Sequence, residues 1–172
     1  MIHLRLILNG RKVEALVDPR ISLADFLRET MNLTATHLGC EHGVCGACTI
    51  TLNGEPVRAC LTLAVACDGY EVRTLEGLRN DPVMIALCDS FHRNHGLQCG
   101  FCTPGMLISA RDMILRNKAG SDRDVREGLA GNLCRCTGYT DIVRSVRKAA
   151  ELFDGACEVV QQPHGQEAKQ AT

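Results

Sequence analysis

The chain has 172 residues and a formal net charge of −1, with 45% hydrophobic, 23% charged and 3% aromatic residues. This composition predicts a soluble globular protein of one or two small domains, and it gives no reason to expect nucleic acid or an anionic membrane as a partner. No apolar run approaches the roughly 20 residues that span a bilayer, and no signal peptide is recognisable, so we expect a cytoplasmic protein.

The first part of the chain predicts a mixed sheet that carries one helix. Apolar residues alternate from residue 2 to residue 8, and the Asn-Gly pairs at 9–10 and 53–54 are typical of tight turns between paired strands. Ser22 is expected to cap the helix. The predicted elements are strands at 2–8 and 13–17, a helix from Ser22 to Met31, strands at 50–52 and 57–59, and a strand at 70–75.

The hydrophobic period becomes helical beyond about residue 80. Asp81-Pro82 and Thr103-Pro104 suit the starts of two helices, and Ser121 and Thr140 suit the capping positions of two more, the last of which is expected to reach Phe153. Four helices in this span predict a small bundle. We therefore predict a sheet-containing domain at residues 1–78, a helical domain at 79–155 and a flexible tail at 156–172.

Eleven cysteines make the chain unusual. Their number is odd and no export signal is visible, so a disulfide framework is disfavoured, because disulfides are rare in reducing compartments. Ligation of a metal ion or an iron–sulfur cluster explains so many thiols better.

The first cysteine set lies in "GCEHGVCGACTITLNGEPVRAC", residues 39–60. Its spacing is C-x4-C-x2-C, with a fourth cysteine after the predicted hairpin, as in plant-type [2Fe–2S] ligation. Four thiolates around such a core leave a net negative charge, which buried surroundings must meet with hydrogen-bond donors. Glycines in this loop would let backbone N–H groups approach the sulfurs. The predicted ligands are Cys40, Cys45, Cys48 and Cys60, and the glycines are Gly39, Gly43 and Gly46.

The second cysteine set consists of two pairs, in "QCGFCTPG" and "NLCRCTGY". Each pair precedes a predicted helix, so the positive ends of two helix dipoles would approach an anionic cluster. The spacings C-x2-C and C-x-C also suit tetrahedral zinc, so the spacing alone leaves zinc and an iron–sulfur cluster open. The predicted ligands are Cys99, Cys102, Cys134 and Cys136.

Three motifs together resemble the iron–sulfur subunit of molybdenum hydroxylases of the xanthine oxidase family. They are "GCEHGVCGACTITLNGEPVRACL", "HGLQCGFCTPGM" and "GNLCRCTGY", and the likeness covers about residues 2–153. The resemblance implies an α+β fold: a ferredoxin-like β-grasp domain followed by an all-α four-helix domain, each with one [2Fe–2S] cluster.

The resemblance also implies roles and partners. Electrons would pass from molybdopterin, expected as the cytosine dinucleotide in a large subunit, through two [2Fe–2S] clusters to FAD in a medium subunit of a heterotrimer or its dimer. Cys40, Cys45, Cys48 and Cys60 would hold the cluster nearer FAD, and Cys99, Cys102, Cys134 and Cys136 the cluster nearer molybdenum. Gln98 and Cys136 would contact the pterin.

Two alternatives to this function remain at the level of sequence. One is a free-standing ferredoxin-like carrier, which the second cysteine set and the helical domain disfavour. The other is a zinc-stabilised interaction module without a redox role. Cys67, Cys88 and Cys157 fit neither ligand set, and Cys88 is expected to be buried on an apolar helical face. The histidines lack paired ligand spacing, and histidine ligation is not expected.

Overall fold

The computed structural model of the chain describes residues 1–153. The predicted tail at 156–172, with Cys157, lies outside these residues. Within them a mixed sheet has the strand order β2-β1-β5-β3-β4, in which β5 pairs parallel with β1 and antiparallel with β3. The strands are β1 (Ile2–Leu8), β2 (Arg11–Val17), β3 (Thr49–Leu52), β4 (Glu55–Arg58) and β5 (Glu71–Arg73).

Both Asn-Gly turns are confirmed. Asn9 and Gly10 have φ angles of 51° and 79°, and Asn53 and Gly54 have φ angles of 48° and 86°, so each pair takes the left-handed conformation that a two-residue hairpin turn requires. The last two predicted strands have other bounds: β4 covers Glu55–Arg58 instead of 57–59, because Ala59–Leu61 form a short 3₁₀ turn, and β5 covers only three of the residues predicted at 70–75.

The helix after Ser22 exists but is not regular. The Ser22 side chain accepts a hydrogen bond from the backbone N–H of Asp25, as its capping role predicts. The helix α1 (Leu23–Asp25) then widens into a π-helical turn over Phe26–Thr30, in which the N–H of Met31 donates to the carbonyl of Phe26 at 3.1 Å. The wider turn places both Phe26 and Leu27 in the core, each fully buried.

Helical structure dominates the rest of the chain, as predicted. Asp81 and Ser121 cap their helices through side-chain oxygens, and Cys102 occupies the capping position of the second helix. The predicted cap at Thr140 is wrong: Tyr139 occupies that position with a φ angle of 69°, and the helix ends at Ala150, short of Phe153. The helices are α2 (Pro82–Arg93), α3 (Thr103–Leu115), α4 (Asp122–Gly128) and α5 (Thr140–Ala150).

Two clusters of buried apolar side chains hold the fold together. One joins the sheet to α1 and its π turn, with residues 4–8 of β1 contributing alternate leucines, and the other joins helices α2 to α5. The prediction that Cys88 is buried on an apolar helical face is wrong. Cys88 is exposed because Leu87, its neighbour on α2, takes the buried position in the stripe that also holds Met84 and Phe91. No helix among residues 1–153 is long and apolar enough to cross a membrane.

Candidate iron–sulfur cluster sites

The first cysteine loop, residues 39–48, directs backbone N–H groups at Cys40. The N–H groups of Cys45 and His42 donate to its sulfur at 3.3 Å and 3.4 Å. These donors lower the pKa of the Cys40 thiol to about 6. Gly43 has a φ angle of 76° and Gly46 one of 73°, so the loop takes the left-handed turns that the predicted role of its glycines requires.

Among the other cysteines of the first set, Cys48 is buried, whereas Cys45 and Cys60 are partly exposed like Cys40. Burial raises the pKa of the Cys48 thiol to about 11, and the Cys48 sulfur interacts with both Cys60 and Cys45. A Cβ atom added to Gly39 would lie 3.2 Å from the Cys45 sulfur, so the chain passes close to the cysteines on that side as well. The structure therefore brings together all four predicted members of the first set.

The second cysteine set is also assembled. The sulfurs of Cys136 and Cys99 lie 3.5 Å apart at the surface, and burial together with the neighbouring Cys134 raises the pKa of the Cys102 thiol to about 12. A tetrahedral metal with metal–sulfur bonds near 2.3 Å separates two of its sulfurs by about 3.8 Å. The spacing of Cys99 and Cys136 is thus near that of two thiolates on one metal.

Thr137 and Tyr139, which follow Cys134 in the chain, shape the surroundings of its thiol. The Thr137 hydroxyl lies 3.2 Å from the Cys134 sulfur, and the Tyr139 hydroxyl oxygen accepts the backbone N–H of Cys134 at 2.8 Å. Burial disfavours the Cys134 thiolate, but the Thr137 hydroxyl and nearby backbone N–H groups outweigh it and lower the pKa of this thiol. The Tyr139 contact also explains the unpredicted left-handed turn before α5, because that turn brings the phenol back to the loop.

The donor chemistry of both loops fits an anionic cluster with four thiolate ligands. Backbone N–H groups already point at Cys40, and backbone N–H of Phe101, with the Cys136 side chain, lowers the pKa of Cys99. Thr103, next to Cys102, has a buried hydroxyl with no hydrogen-bond partner among residues 1–153. A hydroxyl that would otherwise be buried without a partner is accounted for if it donates to a cluster sulfur.

The predicted pterin contacts lie on one surface. Gln98 is exposed and precedes Cys99, whose sulfur contacts the exposed Cys136. Gln98 is therefore the sequence neighbour of a cysteine whose sulfur contacts Cys136, and all three residues are exposed, so that a partner subunit could reach them.

Two families of [2Fe–2S] proteins match this chain. Residues 20–89 match the model of a "2Fe-2S iron-sulfur cluster binding domain" and residues 74–147 that of a "[2Fe-2S] binding domain". The first range contains the first cysteine set and the second contains the second set.

Relatives of known activity match over most of their length. The caffeine dehydrogenase subunit gamma of Pseudomonas sp. (strain CBB1) is 51% identical over 148 residues, which cover 84% of this chain and 89% of the relative. The nicotine 6-hydroxylase small subunit of Paenarthrobacter nicotinovorans is 52% identical over 141 residues, covering 82% and 85%. The crystal structure of quinoline 2-oxidoreductase from Pseudomonas putida 86 superposes with a TM-score of 0.84 at 48% identity, covering 90% of this chain and 96% of that chain.

The chain belongs to the iron–sulfur small subunits of the xanthine oxidase family of molybdenum hydroxylases. This iron–sulfur subunit is therefore an electron-transfer component of an oxidoreductase, and its mixed sheet with helices is the fold of that family.

Sequence reasoning missed several residues that shape the loops of the iron–sulfur subunit. Asn132 and Arg58 each lie two residues before a predicted ligand, and Tyr139 follows the second set by three residues. Their position close to the cysteines is the only signal that the sequence offers. The hydrogen bonds of Asn132 and Arg58 reach segments 86 and 73 residues away, and that of Tyr139 depends on an unpredicted left-handed turn, so no local pattern indicates them.

Proposed function

We propose that this chain carries electrons, one at a time, from a molybdopterin site in a large partner subunit to FAD in a medium partner subunit. The medium subunit and the cytosine dinucleotide form of the pterin are part of the proposal. So is the assembly, a heterotrimer or its dimer. When bound, a [2Fe–2S] cluster supplies reversible one-electron chemistry. The chain's own residues hold the two clusters, meet their charge with hydrogen-bond donors and present them to the partners.

The observation that carries the proposal is the division of eight cysteines into two assembled sets of four. We assign Cys40, Cys45, Cys48 and Cys60 to the cluster nearer FAD, and Cys99, Cys102, Cys134 and Cys136 to the cluster nearer molybdenum. We further assign a ferredoxin-like β-grasp domain to residues 1–78 and a four-helix domain to residues 79–155. Gln98 and Cys136 would contact the pterin.

The surface around both sets supports docking to partners. Four exposed apolar side chains adjoin predicted ligands in sequence, and large apolar side chains gathered at one place on a surface commonly mark an interaction site. Val44 precedes Cys45 and Leu61 follows Cys60, while Phe101 precedes Cys102 and Leu133 precedes Cys134. Their exposed fractions are 62%, 63%, 47% and 51%. A free-standing carrier would not need exposed apolar side chains beside both cysteine sets.

Iron and acid-labile sulfide content, with electron paramagnetic resonance (EPR) after reduction by dithionite, tests the proposal. We expect four irons per chain and two distinct signals, since each [2Fe–2S] cluster contains two irons. Cys45→Ser should abolish one signal and leave the other, because the two sets belong to separate parts of the fold. Cys88→Ser, which changes an exposed cysteine outside both sets, is the matched control. A zinc-loaded chain without EPR signals would contradict the proposal.

A further inference from the structure

A buried side chain joins the first cysteine loop to residues 131–137, which carry Cys134 and Cys136 and which we call the second loop. Asn132 is 2% exposed, and its amide nitrogen donates to the Gly46 carbonyl at 3.1 Å and to the Thr49 hydroxyl at 3.4 Å. Its amide oxygen accepts the Ser109 hydroxyl of α3 at 2.9 Å. One amide therefore links the first loop, the second loop and a helix. We call these residues, together with Arg58, the Asn132 network.

Arg58 makes a second bridge between the same loops. One guanidinium nitrogen donates to the Thr49 hydroxyl at 2.6 Å, and another donates to the Gly131 carbonyl at 2.7 Å. Beside it, the N–H of Leu133 donates to the Cys45 carbonyl at 2.8 Å. Bonds that share partners in this way support one another, and removing one central member costs more than a single isolated bond.

The loops have no room to shift towards each other. A Cβ atom added to Gly46 would lie 2.7 Å from the Asn132 amide nitrogen, and one added to Gly105 on α3 would overlap the Gly46 carbonyl. Gly46 also needs its left-handed φ of 73°. Direct contact therefore prevents the loops from moving closer together, and the hydrogen bonds of the Asn132 network prevent them from moving apart.

The two residues that Asn132 contacts in and after the first loop, Gly46 and Thr49, are close in sequence to predicted ligands. Gly46 lies between Cys45 and Cys48, and Thr49 follows Cys48 directly. On the other side, Asn132 lies two residues before Cys134. We propose that Asn132 is a positioning residue, which fixes the distance and relative orientation of the two cluster sites and so sets the rate of electron passage between them. This inference rests on the proposed function.

The physical reason is that electron transfer through protein falls steeply with the distance between the centres. An isolated polar bridge on the surface would be exchanged for water at little cost. The Asn132 amide is buried, and its polar partners lie within the protein, so its loss leaves a void and lets the loops drift. Geometry held by supporting side chains is what a site needs when small displacements matter.

The test compares variants in the complete enzyme, co-expressed with its larger subunits. Asn132→Ala should keep four irons per chain and both EPR signals. The magnetic interaction between the two reduced clusters should weaken or broaden, because it depends on their distance and orientation. Stopped-flow reduction should show that electrons reach the flavin several-fold more slowly. The magnetic interaction does not depend on turnover, so it separates a positioning role from a general loss of activity.

Two further variants make the outcome decisive. Asn94→Ala removes an amide that donates to Ser90 at the end of α2 and to neither cysteine loop, and it should leave the magnetic interaction unchanged. If Asn132→Ala fails to hold iron, Ser109→Ala replaces it in the test. This variant removes only the hydroxyl that donates to the Asn132 amide oxygen, and it should also weaken the magnetic interaction between the clusters.

Three results would overturn the inference. The first is an Asn132→Ala enzyme that holds all its iron and has an unaltered magnetic interaction and an unaltered transfer rate. The second is an unaltered magnetic interaction in Ser109→Ala, where Asn132→Ala does not hold iron. The third is an Asn94→Ala enzyme whose magnetic interaction changes as much as that of Asn132→Ala. Fewer than four irons in the unaltered chain would instead count against the proposed function.

Discussion

The Thr103 hydroxyl is a candidate donor to the proposed second cluster. Its oxygen is buried at the start of α3, next to Cys102, and has no hydrogen-bond partner among residues 1–153. Hydrogen bonds to cluster sulfurs stabilise the more negative reduced state, so they raise the reduction potential. A donor in this place would make the second cluster a better electron acceptor.

Thr103→Val should therefore lower the midpoint potential of the second cluster. Valine keeps the shape of threonine and removes only the hydroxyl, so iron content should not change. A potentiometric titration followed by EPR would record the shift. Thr36→Val removes another buried, unpartnered hydroxyl that lies outside the second set, and it should leave that potential where it was. An equal potential in the Thr103 variant and the unaltered chain would exclude the hydrogen bond.

At the scale of the element, the first turn of α2 depends on one carboxylate with two tasks. Asp81 caps the helix by accepting the Met84 N–H at 2.9 Å, and it pairs with Arg111 of α3 at 2.6 Å. Burial disfavours the Asp81 carboxylate, but its bonds to Arg111 and Met84 outweigh this and lower its pKa. Asp81 thus ties the start of α2 to the middle of α3.

Asp81→Ala should lower the free energy of unfolding by about 1 to 2 kcal/mol, the usual cost of losing a cap, with the lost ion pair adding to it. Thermal unfolding followed by circular dichroism would show a midpoint lower by several degrees. Asp81→Asn keeps an oxygen for the cap and should lose less.

The pH dependence of this effect has a defined sign. A lowered pKa means that the stabilisation is fully present above the unfolded-state pKa and is lost only as the pH falls through the lower folded-state value. The difference between Asp81→Asn and the unaltered chain should therefore stay constant between about pH 6 and pH 8. A difference that shrinks across that range would contradict the assignment.

Local chemistry made many elements predictable. The Asn-Gly turns need left-handed backbone, and Ser22, Asp81 and Ser121 carry oxygens that match free N–H groups at helix starts. Both cysteine sets could be predicted because the spacing within each motif is a local property. The π turn after α1 could not, because the burial of Phe26 comes from tertiary contacts. The Tyr139 turn could not either, because a non-glycine residue at a φ of 69° has no sequence signal of its own, although its bond to Cys134 spans only five residues.

At the scale of the whole molecule, the apolar residues beside the two sets define two docking surfaces. Val44 and Leu61 adjoin the first set, and Phe101 and Leu133 adjoin the second. If the sets face different partners, a charge placed at one surface should disturb one partner and spare the other. The prediction requires the two surfaces to face different partners although the loops touch, since the Leu133 N–H donates to the Cys45 carbonyl.

Val44→Asp should reduce co-purification of the proposed flavin subunit, and Leu133→Asp should reduce that of the proposed molybdopterin subunit, since a buried unpaired charge at an interface is costly. FAD and molybdenum content per iron–sulfur chain would measure each loss. Leu16→Asp is the matched control, because Leu16 is 54% exposed on β2 and adjoins neither set. Equal loss of both partners in each variant would count against two separate surfaces.

The span of the Asn132 network along the chain has a consequence for biosynthesis. Gly46 and Thr49 are translated 86 and 83 residues before the asparagine that binds them. While the ribosome makes the intervening helices, the Gly46 carbonyl and the Thr49 hydroxyl therefore lack that partner, even though the sheet around them can already fold. The first cysteine loop therefore gains its full support only after residue 132 has been made, later than the sheet that surrounds this loop.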